Sequence, residues 1–191
     1  DEEHDEAIDL MKRMNRIIRI PMIAGGNVKR QEDVKKILYA GAKRAILNFS
    51  KQDSPKLMED AAKRFGKEKI AVSLHDFDAL FKHQHKIEEC CGEIVFMHRL
   101  DLDSVMNVTD IPCVILTDTM DERELFKILK CPGVKGLSGQ YVSRTDMDLS
   151  TFKEKCTAQD IKMTSFESIM EFSQFKTNEQ GLIPVVVQHF K

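Results

Sequence analysis

No apolar run in this chain approaches the roughly 20 residues that a membrane-spanning helix requires, and no signal peptide is expected. A basic stripe is missing as well: the 29 Lys and Arg stand against 31 Asp and Glu, interleaved along the sequence, for a net charge of −2. Nucleic acid and membrane surfaces are therefore not expected as partners. Cysteine is sparse, with Cys90, Cys91, Cys113, Cys131 and Cys156 making five. That number is odd and the only close pair is adjacent, so neither a CxxC metal site nor a disulfide framework follows; reduced thiols in a cytoplasm are expected. Walker A, GxGxxG and serine-nucleophile-elbow motifs do not occur. No metal and no cofactor are expected in this span.

What is present is an ordinary globular balance: 191 residues, 42% hydrophobic and 31% charged. That length supports one sizeable core, or one domain plus the edge of another. A strand-then-helix alternation repeats along it. The strand candidates are IPMIAGG from Ile20, RAILNF from Arg44, KIAVSL from Lys69, EIVFMH from Glu93, PCVILT from Pro112 and VKGLSG from Val134. They read as continuous apolar runs, as expected for a parallel sheet covered by helices. Between them, Ser54-Pro55 opens a helix as N-cap and first-turn proline, Leu57, Met58, Ala61, Ala62 and Phe65 form its stripe, and Gly66 closes it. Val34, Ile37 and Leu38 precede Gly41 in the same manner, and Leu125, Ile128 and Leu129 precede Pro132-Gly133. The class is α/β, either an open doubly wound sheet or part of a closed (β/α)8 barrel.

An internal repeat favours the barrel. IPMIAGGNVKRQEDVKKILYAGAKRAILNF lies over IPCVILTDTMDERELFKILKCPGVKGLSGQ without a gap, with Ile20-Pro21 on Ile111-Pro112 and Lys36-Ile37-Leu38 on Lys127-Ile128-Leu129. Duplicated half-barrels have this character. In the overlay Gly25 and Gly26 fall on Leu116 and Thr117, so a shared turn requirement does not explain the glycines. They serve either a plain turn or close backbone approach to an anion, since strand-end amides beside a helix N-terminus bind phosphate readily.

The stretch IPMIAGGNVKRQEDVKKILYAGAKRAILNFS resembles the third and fourth βα units of the histidine-biosynthesis (β/α)8-barrel family, which shows IP-x-x-x-GGG-I…ED…LL-x-AGA-x-x-x-x-x-N. That family contains the cyclase subunit of imidazole glycerol phosphate synthase and phosphoribosylformimino-aminoimidazole-carboxamide ribotide isomerase. The resemblance implies a partial TIM barrel with strands three to eight present and strands one and two upstream of Asp1. It also implies two phosphate sites, one per half, for a phosphoribosyl ligand. Gly25, Gly26 and Asn48 match the first site. Asn27 stands for the third glycine, and Phe49 for a small hydroxyl residue. In the second half Leu116-Thr117-Asp118 replaces the glycine pair, and Asp118 would repel a phosphate. Ser138 and Gly139 are weaker candidates for a phosphate turn.

The family's acid–base work uses carboxylates at the ends of strands one and five. Here His75 occupies the strand-five position with Asp76 one step on; these are the catalytic candidates, though neighbouring strand residues point to opposite faces. A second resemblance, NEQGLIPVVVQHF from Asn178 to Phe190, is to the opening strand of phosphoribosyl-AMP cyclohydrolase. It implies a parent polypeptide fusing the barrel to the cyclohydrolase and phosphoribosyl-ATP pyrophosphatase. The expected division is a truncated barrel over 1–164, a connector helix over 165–178 carrying the stripe Phe166, Ile169, Met170 and Phe175, and a first cyclohydrolase strand over 179–191. The expected role is that of a degenerate barrel, acting as scaffold or interdomain contact; the alternative is an active isomerase or cyclase with rearranged acid–base residues. Six strands do not close at eight-strand geometry, so self-association through open edges, or dependence on the rest of the polypeptide, is also expected. His83-Gln84-His85 reads as a helix face rather than a metal pair, and the acidic start DEEHDE as a solvated one.

Overall fold

A computed structural model of the chain describes residues 2–18, 20–49, 54–96, 107–143 and 148–163. Its elements run α1 (Glu2–Asn15), β1 (Ile23–Gly25), α2 (Gln31–Tyr39), β2 (Arg44–Asn48) and α3 (Ser54–Phe65), then a 3-10 turn (Lys67–Lys69), β3 (Ile70–Leu74), α4 (Phe77–Cys90) and β4 (Glu93–Phe96). β5 (Cys113–Thr117), α5 (Glu122–Lys130), β6 (Val134–Gly139) and α6 (Leu149–Thr157) follow. The connector helix and cyclohydrolase-like strand expected over 165–191 lie outside the described residues.

The six strands form one sheet in the order β1-β2-β3-β4-β5-β6, and every neighbouring pair is parallel. Spatial order equal to chain order means that each crossover steps the same way, so right-handed connections place the helices on one side. A doubly wound sheet reverses direction and carries helices on both sides. The sheet therefore curls about its bare face into a half-barrel, a partial (β/α)8 architecture.

Register assigns the faces. Leu47, Val72, Ile94 and Cys113 share one row, and Leu74, Phe96, Ile115 and Leu137 the next row on that side. Both rows join a single core with Val34, Ile37, Met58, Ala61, Leu80, Ile87 and Leu125 from the helices. The alternate rows face the concave side: Ile46, Ala71 and Glu93, then Asn48, Ser73, Val95 and Val114. The uninterrupted reading of the strands holds for β3 and β4, buried at every residue, but not for β2. Burial alternates along β2, and the concave face carries Arg44, Asn48, Ser73 and Glu93 among its apolar residues.

Local signals explain most element bounds. β1 begins at Ile23 rather than Ile20; Pro21, just upstream, has no N–H for a ladder. Ser54 is the first helical residue of α3, and its hydroxyl donates to the Asn48 carbonyl at 2.6 Å. Gly66 ends that helix at φ 92°, a left-handed conformation that suits glycine. The repeat is matched element for element. α2 and α5 are nine residues each, and they coincide in the overlay that puts Ile20 on Ile111.

Candidate functional site

In a parallel half-barrel the C-terminal ends of the strands form one rim, and ligands bind there in closed relatives of this architecture. The chain brings Gly25-Gly26-Asn27, Asn48, His75-Asp76, Asp118 and Ser138-Gly139 to that rim, each at or just past a strand end.

At β1 the backbone explains the glycines one by one. A Cβ on Gly25 would stand 2.6 Å from both the Ile46 Cβ and the Ile46 carbonyl oxygen. The close approach that excludes a side chain there is to β2, a reason for glycine that needs no ligand. Gly26 differs. Its φ is +133°, and a Cβ would meet nothing within 4 Å, so it combines a glycine-type conformation with open space. Asn27 follows at φ 51°. Asparagine is among the few residues that tolerate this region, so its replacement of a glycine preserves the turn.

The loop leading into α2 is tied back to the helix's first turn by Asp33. The Asp33 carboxylate accepts the N–H groups of Lys29 at 3.0 Å and Arg30 at 2.9 Å. Burial alone would raise this carboxyl, but those two backbone donors and the Arg30 charge outweigh it and hold it below its ordinary value. The Lys29 and Arg30 amides are thus taken by Asp33, so an anion at this rim would not find them free.

Asn48 and Ser73 are register partners on the concave face. Ser73 is buried, and its hydroxyl lies 3.5 Å from the Leu47 carbonyl. Sequence reading passed over it; its parity with Ala71 in IAVSL was the available signal. Phe49 is buried in the helix-side core with its ring edge-on to His83 at 5.2 Å, so it does not occupy the rim. His75 is exposed just past the end of β3. Asp76 caps α4, accepting the Ala79 N–H at 2.8 Å, which commits its carboxylate to the helix.

The other half is built differently. A Cβ on Gly139 would approach the Thr117 carbonyl oxygen to 1.8 Å, and its φ is +123°. Tight strand approach is thus relieved by a glycine on β6 here, and by one on β1 in the first half. Asp118 is exposed at the end of β5. Beyond β6 the buried Tyr141 donates its hydroxyl to Glu122 at 2.5 Å, and Lys155 Nζ reaches both Glu122 oxygens at 2.8 and 2.9 Å. The Lys155 and Tyr141 hydrogen bonds hold that carboxyl below its usual range.

Among the described residues, no group of three or more His, Cys, Asp or Glu is placed to hold a metal ion, and no helix is long and apolar enough to cross a membrane. The five cysteines are free thiols, and four of them are buried.

Comparison with known proteins places these features in context. Residues 1–114 match the family described as histidine biosynthesis protein. The chain is 33% identical over 73 residues to the imidazole glycerol phosphate synthase subunit HisF of Streptococcus gordonii, covering 38% of this chain and 29% of that protein. It is 32% identical over 109 residues to the protein of the same name from Endomicrobium trichonymphae, covering 55% of this chain and 38% of the relative. Against that of Methanococcus maripaludis it is 36% identical over 73 residues, 38% of this chain and 27% of the relative. The chain thus spans well under half the length of these relatives. With more than half of its own residues matched by the family, the chain belongs to the histidine biosynthesis protein family.

Proposed function

We propose that this chain is the barrel portion of a histidine-biosynthesis polypeptide that retains one phosphate cradle of its family and has lost the second. The Gly25–Asn27 turn, with Asn48 beside it, would hold one phosphate of a phosphoribosyl ligand. The observation that carries this reading is Gly26, a glycine in a left-handed conformation with open space over it. Asp118 stands where the second phosphate would sit, and a carboxylate a few ångströms from a phosphate is repulsive in a partly dry site. His75 replaces the family's carboxylate at the end of β3, and Asp76 is engaged as a helix cap. The domain then acts as scaffold or interdomain contact, or as a weak phosphoribosyl site, within a cytoplasmic protein fused to phosphoribosyl-AMP cyclohydrolase and phosphoribosyl-ATP pyrophosphatase.

The second reading is an active ribotide isomerase or cyclase using His75 with an acid supplied from elsewhere in the polypeptide. It is favoured by the HisF relatives. Calorimetric titration with the bis-phosphate ribotide, paired with a turnover assay, separates the two. Weak binding without turnover, abolished by Gly26→Asp, is the expected result. Turnover that His75→Ala removes would establish the second reading, and binding untouched by Gly26→Asp would overturn the first.

A further inference from the structure

Asn48 stands half-buried on the concave face at the last position of β2, and this strand end is fastened from three directions. The buried Ser54, at the start of α3, donates its hydroxyl to the Asn48 carbonyl at 2.6 Å. Across the sheet, the Phe49 N–H donates to the Ser73 carbonyl at 3.0 Å. On the helix side, the buried Phe49 ring meets His83 of α4 edge-on, with centroids 5.2 Å apart and planes at 72°. Successive strand residues point to opposite faces. Anchoring Phe49 among the helices therefore presents Asn48 to the concave side.

Two of these holds depart from ordinary local structure. A serine at a helix start commonly accepts an N–H from the first turn, whereas the Ser54 hydroxyl donates back to β2. α4 leaves helical geometry at His83 itself, φ −120° and ψ 17°, with no proline or glycine there to force the break. The break coincides with contacts to other segments, His83 on Phe49 and Gln84 Nε2 on the Val108 carbonyl at 2.7 Å. Burial, then the Lys82 and Lys86 charges, hold the imidazole below its ordinary pKa, so an uncharged ring faces Phe49 at neutral pH.

We propose, resting on the phosphate site described above, that Ser54 and His83 are positioning residues for Asn48. Together they fix the end of β2 so that the Asn48 carboxamide stands ready beside the Gly25–Asn27 turn. Neither touches the ligand. Ser54 acts through the Asn48 backbone and His83 through the neighbouring ring. A donor already held by packing and hydrogen bonds need not be ordered when the ligand arrives, and that spares affinity.

Inorganic phosphate titrated into the 191-residue chain, followed in proton–nitrogen correlation spectra, tests this. Phosphate should shift the Gly26 amide of wild type, and Gly26→Asp should remove the response. Ser54→Ala and His83→Ala should each weaken phosphate binding by roughly three- to tenfold with the fold retained by circular dichroism. His83→Phe, which keeps a ring against Phe49, should bind like wild type. In an Asn48→Ala background the two alanine substitutions should change affinity less than about twofold, because the residue they position is gone. Without ligand, the Asn48 side-chain amide resonances should move in both variants. Binding that depends on Gly26 but not on Ser54 or His83 would overturn the positioning role alone, as would Asn48 resonances that stay in place. Equal losses with and without Asn48 would also overturn it, being the mark of a general structural effect. A wild-type chain that takes no phosphate would overturn the site and the positioning role together.

Discussion

Arg44 and Glu93 show what the concave face asks of single residues. They lie on adjacent parts of that face, Nη1 to Oε2 at 3.2 Å, with side chains only 14% and 3% exposed. Arg44 Nε is buried and has no hydrogen-bond partner among the described residues. Burial pushes the Glu93 carboxyl above its ordinary value, against the lowering pull of Arg44 and then Lys43. Nearby Cys113 is pushed to about 12 by burial, with the Glu93 charge adding to it. A buried pair is weak evidence for stability, yet removing one partner is costly because the remaining buried charge loses that interaction. Arg44→Ala should therefore cost about 3–5 kcal/mol in urea unfolding, whereas Arg44→Met/Glu93→Leu should cost far less. The pH dependence has a definite sign. A carboxyl whose folded value is raised binds its proton more tightly in the native state, so its contribution to stability falls as pH rises from the unfolded value through the folded one. Wild type should accordingly gain on the double variant as pH is lowered through that window, and a constant difference would contradict the assignment.

At the scale of elements, α4 combines features that the sequence displays with one that it does not. Asp76 before an apolar periodic run is a readable N-cap, and its carboxylate does accept the Ala79 N–H. Asp76→Ala should lower stability by about 1 kcal/mol in thermal unfolding, with Asp76→Asn retaining most of it. A loss of ligand affinity with stability unchanged would instead return Asp76 to the site. The backbone is non-helical at His83, φ −120° and ψ 17°, and FKHQH contains neither proline nor glycine to announce a kink. The contacts there are tertiary: His83 sits edge-on to Phe49, and Gln84 Nε2 donates to the Val108 carbonyl at 2.7 Å. No local pattern carries them. Stripes and stops, by contrast, located α2, α3 and α5, and VKGLSG located β6 from Val134 to Gly139. The two faces of the sheet were half-legible. RAILN alternates in burial, and the polar residues of β3 and β4, Ser73 and Glu93, sit inside runs that read as continuously apolar; register aligns them with Asn48 and Ile46.

For the whole molecule, the sequential strand order and the matched α2 and α5 describe two βα-built halves of similar plan with unlike rims. The first ends in a turn of Gly25, Gly26 and Asn27 with open space above Gly26. The second ends in Thr117-Asp118, with Tyr141, Glu122 and Lys155 tied together beyond β6. The rim residues were readable by type, but the reason for each was not. Gly25 answers to the Ile46 backbone and Asp33 takes the Lys29 and Arg30 amides ahead of α2, and both facts depend on how neighbouring segments sit. The asymmetry of the halves is the central claim, and crystals soaked in sulfate test it most directly. Anion density beside the Gly25–Asn27 turn, with none beside Asp118, is the expected result; density beside Asp118 and none at the turn would contradict it.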